Sequence, residues 1–273
     1  MLALACTPLG PDTARSQDYE TLFRGFDAQA LSHSEKVFLQ AALAFEGHYQ
    51  GLLDGDWGRL SRNAMQRYSR KEFGTEYKEW HLAFVAFSFF ERYERDGWDM
   101  RYFPDLGISL LWPEKAVLRE QSTEYFQNYR HSTSTLAISI GRHPQATTES
   151  LHDYTLGVHE ISSKPYTVRK RNFAVSSASR ADGFTLYTRS NYVRGAWSNI
   201  MVSAESKDAA ILNAVTSSIS VGRAPKLDLD EGGRLEEAIV KTIALIEQEQ
   251  ENTASTGDTS KEDESNAPGV GSG

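Results

Sequence analysis

The chain has 273 residues, 40% hydrophobic and 11% aromatic, enough apolar side chain for a substantial core and a length of one or two domains. Its formal net charge is -8, but residues 247–273 hold seven acidic side chains against Lys261 alone, so most of the excess negative charge sits in that tail. The remainder is near neutral and has no basic stripe for tracking phosphates, which excludes nucleic acid as an expected partner.

In chain order, the opening MLALACTPLG places Leu4 and Ala5 before the lone Cys6. It reads either as the end of a signal segment with a lipoprotein-type cleavage site, its basic and most of its apolar part missing, or as an ordinary N-terminus. A single cysteine forbids an intrachain disulfide and leaves the compartment open. Residues 12–27 are polar and weakly periodic. Ser32 with Glu35 three positions later then forms a capping-box pattern. The helix that follows sets Val37, Phe38, Ala41, Ala42 and Phe45 on one face and stops at Gly47. Gly51, Gly55 and Gly58 force a tight loop, after which Ser61 is expected to cap a second helix burying Ala64, Met65 and Tyr68. A third helix is expected from about Glu76 to Arg95, carrying Trp80, Phe84, Phe87, Phe90 and Tyr93.

After Gly97, β-branched and aromatic residues alternate with polar ones over 106–112, 135–141, 166–180, 183–190 and 197–205, the pattern of an antiparallel sheet. Helical spacing interrupts them at 146–157 and 207–217, and a last helix spans about 231–250. No apolar run is long enough to span a bilayer; Phe84–Phe90 is far too short. The expected fold is α+β, divided into an N-terminal segment 1–26, a helical module 27–96, an α+β domain 97–250, and an acidic linker or disordered tail 251–273.

The stretch from Leu31 to Tyr68 carries Leu39-Gln40, Leu43, Gly47, Tyr49, then Asp54-Gly55-Asp56-Trp57-Gly58, then Ser61 and Ala64. In these residues it resembles the short three-helix type of peptidoglycan-binding domain. The resemblance covers about 40 residues and departs after Tyr68, where the family's second glycine-containing repeat is replaced by Lys71-Glu72-Phe73-Gly74. It implies a peptidoglycan ligand, a periplasmic or cell-envelope location with Cys6 as a candidate lipid anchor, and contacts from Tyr49, Asp54, Gly55, Trp57, Gly58 and Arg59. Aromatic rings would stack on sugar faces, and helix amides would bind carboxylates. The alternative for Trp57 is a core anchor, and for Asp54-Gly55 a plain turn. The longer arrangement is similar to the N-terminal region of envelope proteins in which a trypsin-like serine protease follows a flexible linker, which implies a protease domain as a second partner. The region from about Phe103 to Ser220 resembles, by strand order only, the α+β fold of photosystem extrinsic proteins.

No complete catalytic motif is present. Cys6 is remote from any sheet, neither GDSGG nor GxSxG occurs, and His152, Asp153, His159 and Glu160 lack an HExxH spacing. Asp54 with Glu46 is a conceivable carboxylate pair for glycoside cleavage. The expectation is a non-catalytic binding protein without metal or cofactor; the alternative is a regulatory or pro-region of a serine protease.

Overall fold

The computed structural model describes residues 19–258, with side chains through residue 248. The expected signal remnant with Cys6, and the tail from residue 259 onward, lie outside the described residues. Helix α1 (His33–Phe45) starts at the expected capping box: Ser32 Oγ accepts from the Glu35 amide, and Glu35 Oε2 accepts from the Ser32 amide at 2.8 Å. It ends at Gly47, whose φ of +76° lets the chain reverse so that the His48 and Tyr49 amides donate to the Leu43 carbonyl. Between these caps Phe38, Leu39, Leu43 and Phe45 are buried, so α1 is a central helix covered on several sides.

Helix α2 (Arg59–Phe73) follows, with Gly58 at the cap position and no capping side chain. Ser61, expected as the cap, is instead fully buried inside the first turn with Oγ 3.3 Å from the Asp56 carbonyl. Helix α3 begins at His81, not near Glu76, and runs to Asp96. The amides of His81, Leu82 and Ala83 bond three residues back, and the Lys78 amide donates to His81 Nδ1, so the lead-in is a tighter turn than an α-helix. Tyr19, Phe23 and Phe26, in the segment set apart as 1–26, are buried, and the Tyr19 ring stacks on Trp80 at 5.6 Å.

The rest is antiparallel sheet with helices packed on it. Strands β1 (Trp98–Phe103), β2 (Ile108–Pro113) and β10 (Ser220–Val221) form one sheet in the order β1-β2-β10. A seven-stranded sheet joins β3 (Val117–Arg119), β4 (Gln127–His131), β5 (Ala137–His143), β6 (Tyr166–Lys170), β7 (Phe173–Ser179), β8 (Thr185–Val193) and β9 (Ala196–Ala204) in the order β3-β4-β5-β9-β8-β7-β6. The run 166–180, read as one strand, is the hairpin β6–β7 turning at Arg171-Asn172. Helices α4 (Gln145–Gly157), α5 (Ala209–Ser218) and α6 (Arg234–Asp258) complete the fold. Helix α6 continues to Asp258, so residues 251–258, assigned to the tail, are helical.

The helical region and the α+β region share one continuous apolar core, reaching from Tyr19 through α1 and α3 into β2, β5, β9, α5 and α6. The Phe45 ring meets Trp98 edge-on at 4.9 Å, crossing the boundary expected at residue 96/97. A single carboxylate adds a second tie: Glu35, buried in α1, also accepts the Leu235 amide at 2.7 Å and so caps α1 and α6 together.

Helix α4 meets the large sheet through polar side chains. His152 lies 2.9 Å (Nδ1) from Ser176 Oγ and 2.8 Å (Nε2) from Ser190 Oγ, and Ser190 Oγ lies 2.5 Å from Asn199 Oδ1. Asn199 Nδ2 is 3.0 Å from His143 Nδ1, whose Nε2 reaches the Tyr125 carbonyl at 2.7 Å. All these side chains are buried or nearly so, and their polar atoms are paired with one another, which is the condition under which such a layer is tolerated.

Candidate functional site

The loop between α1 and α2 is built around Gln40, a buried amide on a helix whose neighbours are Leu39 and Ala41. Gln40 Oε1 accepts the Gly55 amide at 2.8 Å, while Nε2 donates to the Asp56 carbonyl at 3.0 Å and to Asp54 Oδ1 at 3.2 Å. Asp54 Oδ1 also accepts the Asp56 amide at 3.1 Å, closing an Asx turn. Gly55 sits inside this turn at φ +70°, where an added Cβ would come 2.5 Å from the His33 ring and 3.0 Å from its carbonyl. Gly58 is different: its backbone is extended, and a Cβ there would meet only the Asp56 carboxylate at 3.5 Å. Gly55 is the glycine the turn requires.

The six expected contact residues do fall together, but not as a row of exposed rings. Tyr49 is 3% exposed and Trp57 is 7% exposed; both belong to the core, and neither ring face is open for a sugar. The Tyr49 hydroxyl donates to the Leu52 carbonyl at 2.7 Å, and burial, with Asp54 and Asp56 nearby, pushes it up to about 12. The Trp57 carbonyl accepts from Gln29 and Arg62 side chains. The surface of the loop is formed by Leu52 and Leu60, 59% and 61% exposed, with Asp54, Asp56 and Arg59 between them.

The other candidates from the sequence do not converge. His152 is buried under α4, whereas Asp153 points outward toward Arg169. His159 Nδ1 accepts the Ser179 amide, and Glu160 accepts the Ala181 amide. Among the described residues no three His, Cys, Asp or Glu side chains gather as a metal site would require. Asp54 and Glu46 serve separate places: Asp54 closes its turn, while Glu46 accepts from Ser88 and lines a cleft on another face.

That cleft, of about 450 Å³, lies at the seam where the ends of α1 and α3 meet the turn between β4 and β5 and the start of α5. Lys71, Arg92, Arg95 and Lys207 line it together with Glu46, Asp96 and Asp208. Asp96 is buried; desolvation pushes its pKa up, but the bidentate Arg95 partner at 2.8 and 2.9 Å outweighs this and holds it below the usual carboxylate range. His131, stacked on Trp98, is pushed down by burial, partly offset by Asp96. No sequence pattern marks this cleft, because its residues come from segments far apart in the chain.

No protein-family model matches the chain, and no curated protein matches it. Among solved structures, it is similar to the solution structure of cyanobacterial PsbP (CyanoP) from Synechocystis sp. PCC 6803, with 12% identity and a TM-score of 0.32 over 45% of this chain and 92% of that one. Among the described residues, no helix is long and apolar enough to cross a membrane.

Proposed function

We propose that the chain is a non-catalytic cell-envelope protein whose N-terminal helices form a peptidoglycan-binding module, and that the ligand meets the outer side of the Leu52–Leu60 loop. The observation that carries this reading is the lock around Gln40. It gives a structural task to Gln40, Asp54, Gly55 and Ser61, residues that make up the resemblance, and it holds the loop in one shape. A pre-shaped loop that exposes two leucines around Asp54, Asp56 and Arg59 offers an apolar contact with polar groups placed to orient a ligand. Tyr49 and Trp57 support it from beneath rather than stacking on sugars.

The test is co-sedimentation of the purified chain with insoluble sacculi, comparing wild type with Leu60→Asp and Arg59→Glu. Both side chains are exposed, so both variants keep the fold. Retention of wild type and loss of at least tenfold in either variant supports the reading. Wild type remaining in the supernatant removes peptidoglycan as the ligand, and equal retention of all three removes this surface.

A further inference from the structure

The seam cleft has a construction that the loop does not share. Its volume suits a small ligand, and its walls are polar. Arg92, half-buried in α3, makes one long contact at 3.4 Å to the Phe45 carbonyl and no ion pair among the described residues. His131 Nδ1 accepts the Thr133 amide at 3.2 Å, so the neutral ring carries its proton on Nε2. That Nε2 is buried, stands 3.7 Å from Asp96 Oδ2, and has no hydrogen-bond partner. A buried N–H without an acceptor is costly unless a bound group supplies one.

We propose that this cleft binds a small ligand carrying one carboxylate and one amino group, a free amino acid or the end of a short peptide. The unpaired charges of the cleft select this class. Lys71, Arg95 and Lys207 are ion-paired with Glu72, Asp96 and Glu205, whereas Arg92 and Glu46 have no ion pair among the described residues, a match for one carboxylate and one ammonium group. Inorganic phosphate would meet Arg92 and leave Glu46 without a cation. The ligand carboxylate accepts from Arg92 and from His131 Nε2, and its ammonium group faces Glu46, whose side chain holds only the Ser88 hydroxyl at 3.2 Å among the described residues. This inference is independent of wall binding by the loop, and either can stand without the other.

Titration of the uniformly 15N-labelled full chain with alanyl-alanine, its C-terminal amide and inorganic phosphate, followed by amide chemical shifts, tests it. Saturable shifts at Thr133, Ser134 and Asp208 are expected with alanyl-alanine, with the amide binding at least tenfold more weakly and phosphate failing to compete. Arg92→Gln should weaken the dipeptide at least tenfold. Should that variant not fold, Lys207→Glu, on a side chain 66% exposed, should weaken it at least threefold without touching the core. Absence of saturable shifts, equal binding of the amide or of phosphate, or full binding by the folded variants overturns the proposal.

Discussion

Two glycines three positions apart, Gly55 and Gly58, should respond unequally to the same substitution. At Gly55 the φ of +70° costs an L-residue about 1 kcal/mol. The added methyl also lies 3.0 Å from the His33 carbonyl, backbone that cannot rotate away, although the exposed His33 ring can swing aside. Moving the turn to relieve that contact strains the Gly55 amide's bond to Gln40 Oε1, worth about 1 kcal/mol. Gly55→Ala should therefore cost about 2–3 kcal/mol. At Gly58 the backbone is one any residue adopts and the nearest atom is at ordinary contact distance, so Gly58→Ala should fall within about 0.5 kcal/mol of wild type. Urea unfolding followed by tryptophan fluorescence, at matched m-value, gives both differences. Equal stabilities for the two variants would falsify the account of this loop as a turn closed on Gln40.

Other perturbations follow the same reasoning. Gln40→Leu leaves the buried Gly55 amide unpaired and the Asp56 carbonyl with the Ser61 hydroxyl alone, and should cost about 1–3 kcal/mol; no measurable loss in urea unfolding would mean that water replaces the amide freely. Glu35→Ala removes one half of the α1 capping box and the acceptor of the Leu235 amide at once, and should cost about 2–3 kcal/mol, lowering the melting temperature in one transition because the core is shared. His81 and His152 are fully buried, and burial lowers each to about 4 from 6.5. The unfolded chain thus binds protons that the folded chain refuses between these values. Stability should be full above pH 6.5 and fall as pH drops toward 4, by about 2 kcal/mol per histidine at pH 5. Chemical denaturation at pH 7.5 and pH 5 that differs by less than 1 kcal/mol contradicts this. Trp57→Ala should cost on the order of 3–5 kcal/mol through its cavity, so loss of wall binding in that variant, if accompanied by such a drop, reports on folding and not on a ligand contact.

Local rules made much of the helical region legible: the Ser32/Glu35 box and the spacing of Phe38, Ala41, Ala42 and Phe45 depend only on near neighbours. The same rules misplace the cap of α2, since Ser61 faces inward to the loop's own carbonyl, and the start of α3, where His81 takes the Lys78 amide. Strand β4, Gln127–His131, is polar and gains its place by pairing with β3 and β5, so no alternation announces it. Gln40 was visible as a polar residue in an apolar row, a signal of a buried hydrogen-bonding task that the aromatic residues of the loop overshadow. Trp57 could be read either way from sequence, and its burial decides for the core. The seam cleft depends on α1, α3, the turn after β4 and the start of α5 meeting in space, which no spacing along the chain encodes.

The polar row beneath α4 has a sense as well as a length. Asn199 Oδ1 can only accept, so Ser190 must spend its hydrogen there, and its oxygen is left to receive the Nε2 hydrogen of His152. His152 Nδ1 is then bare and takes the hydrogen of Ser176. On the other side Asn199 offers an N–H to His143 Nδ1, so His143 too carries its hydrogen on Nε2 and hands it to the Tyr125 carbonyl. Two imidazoles on different elements are thereby held in the same tautomer by one asparagine. An extra proton on His152 would fall on Nδ1, and Ser176 would have to turn its hydroxyl from donor to acceptor while the rest of the row kept its sense.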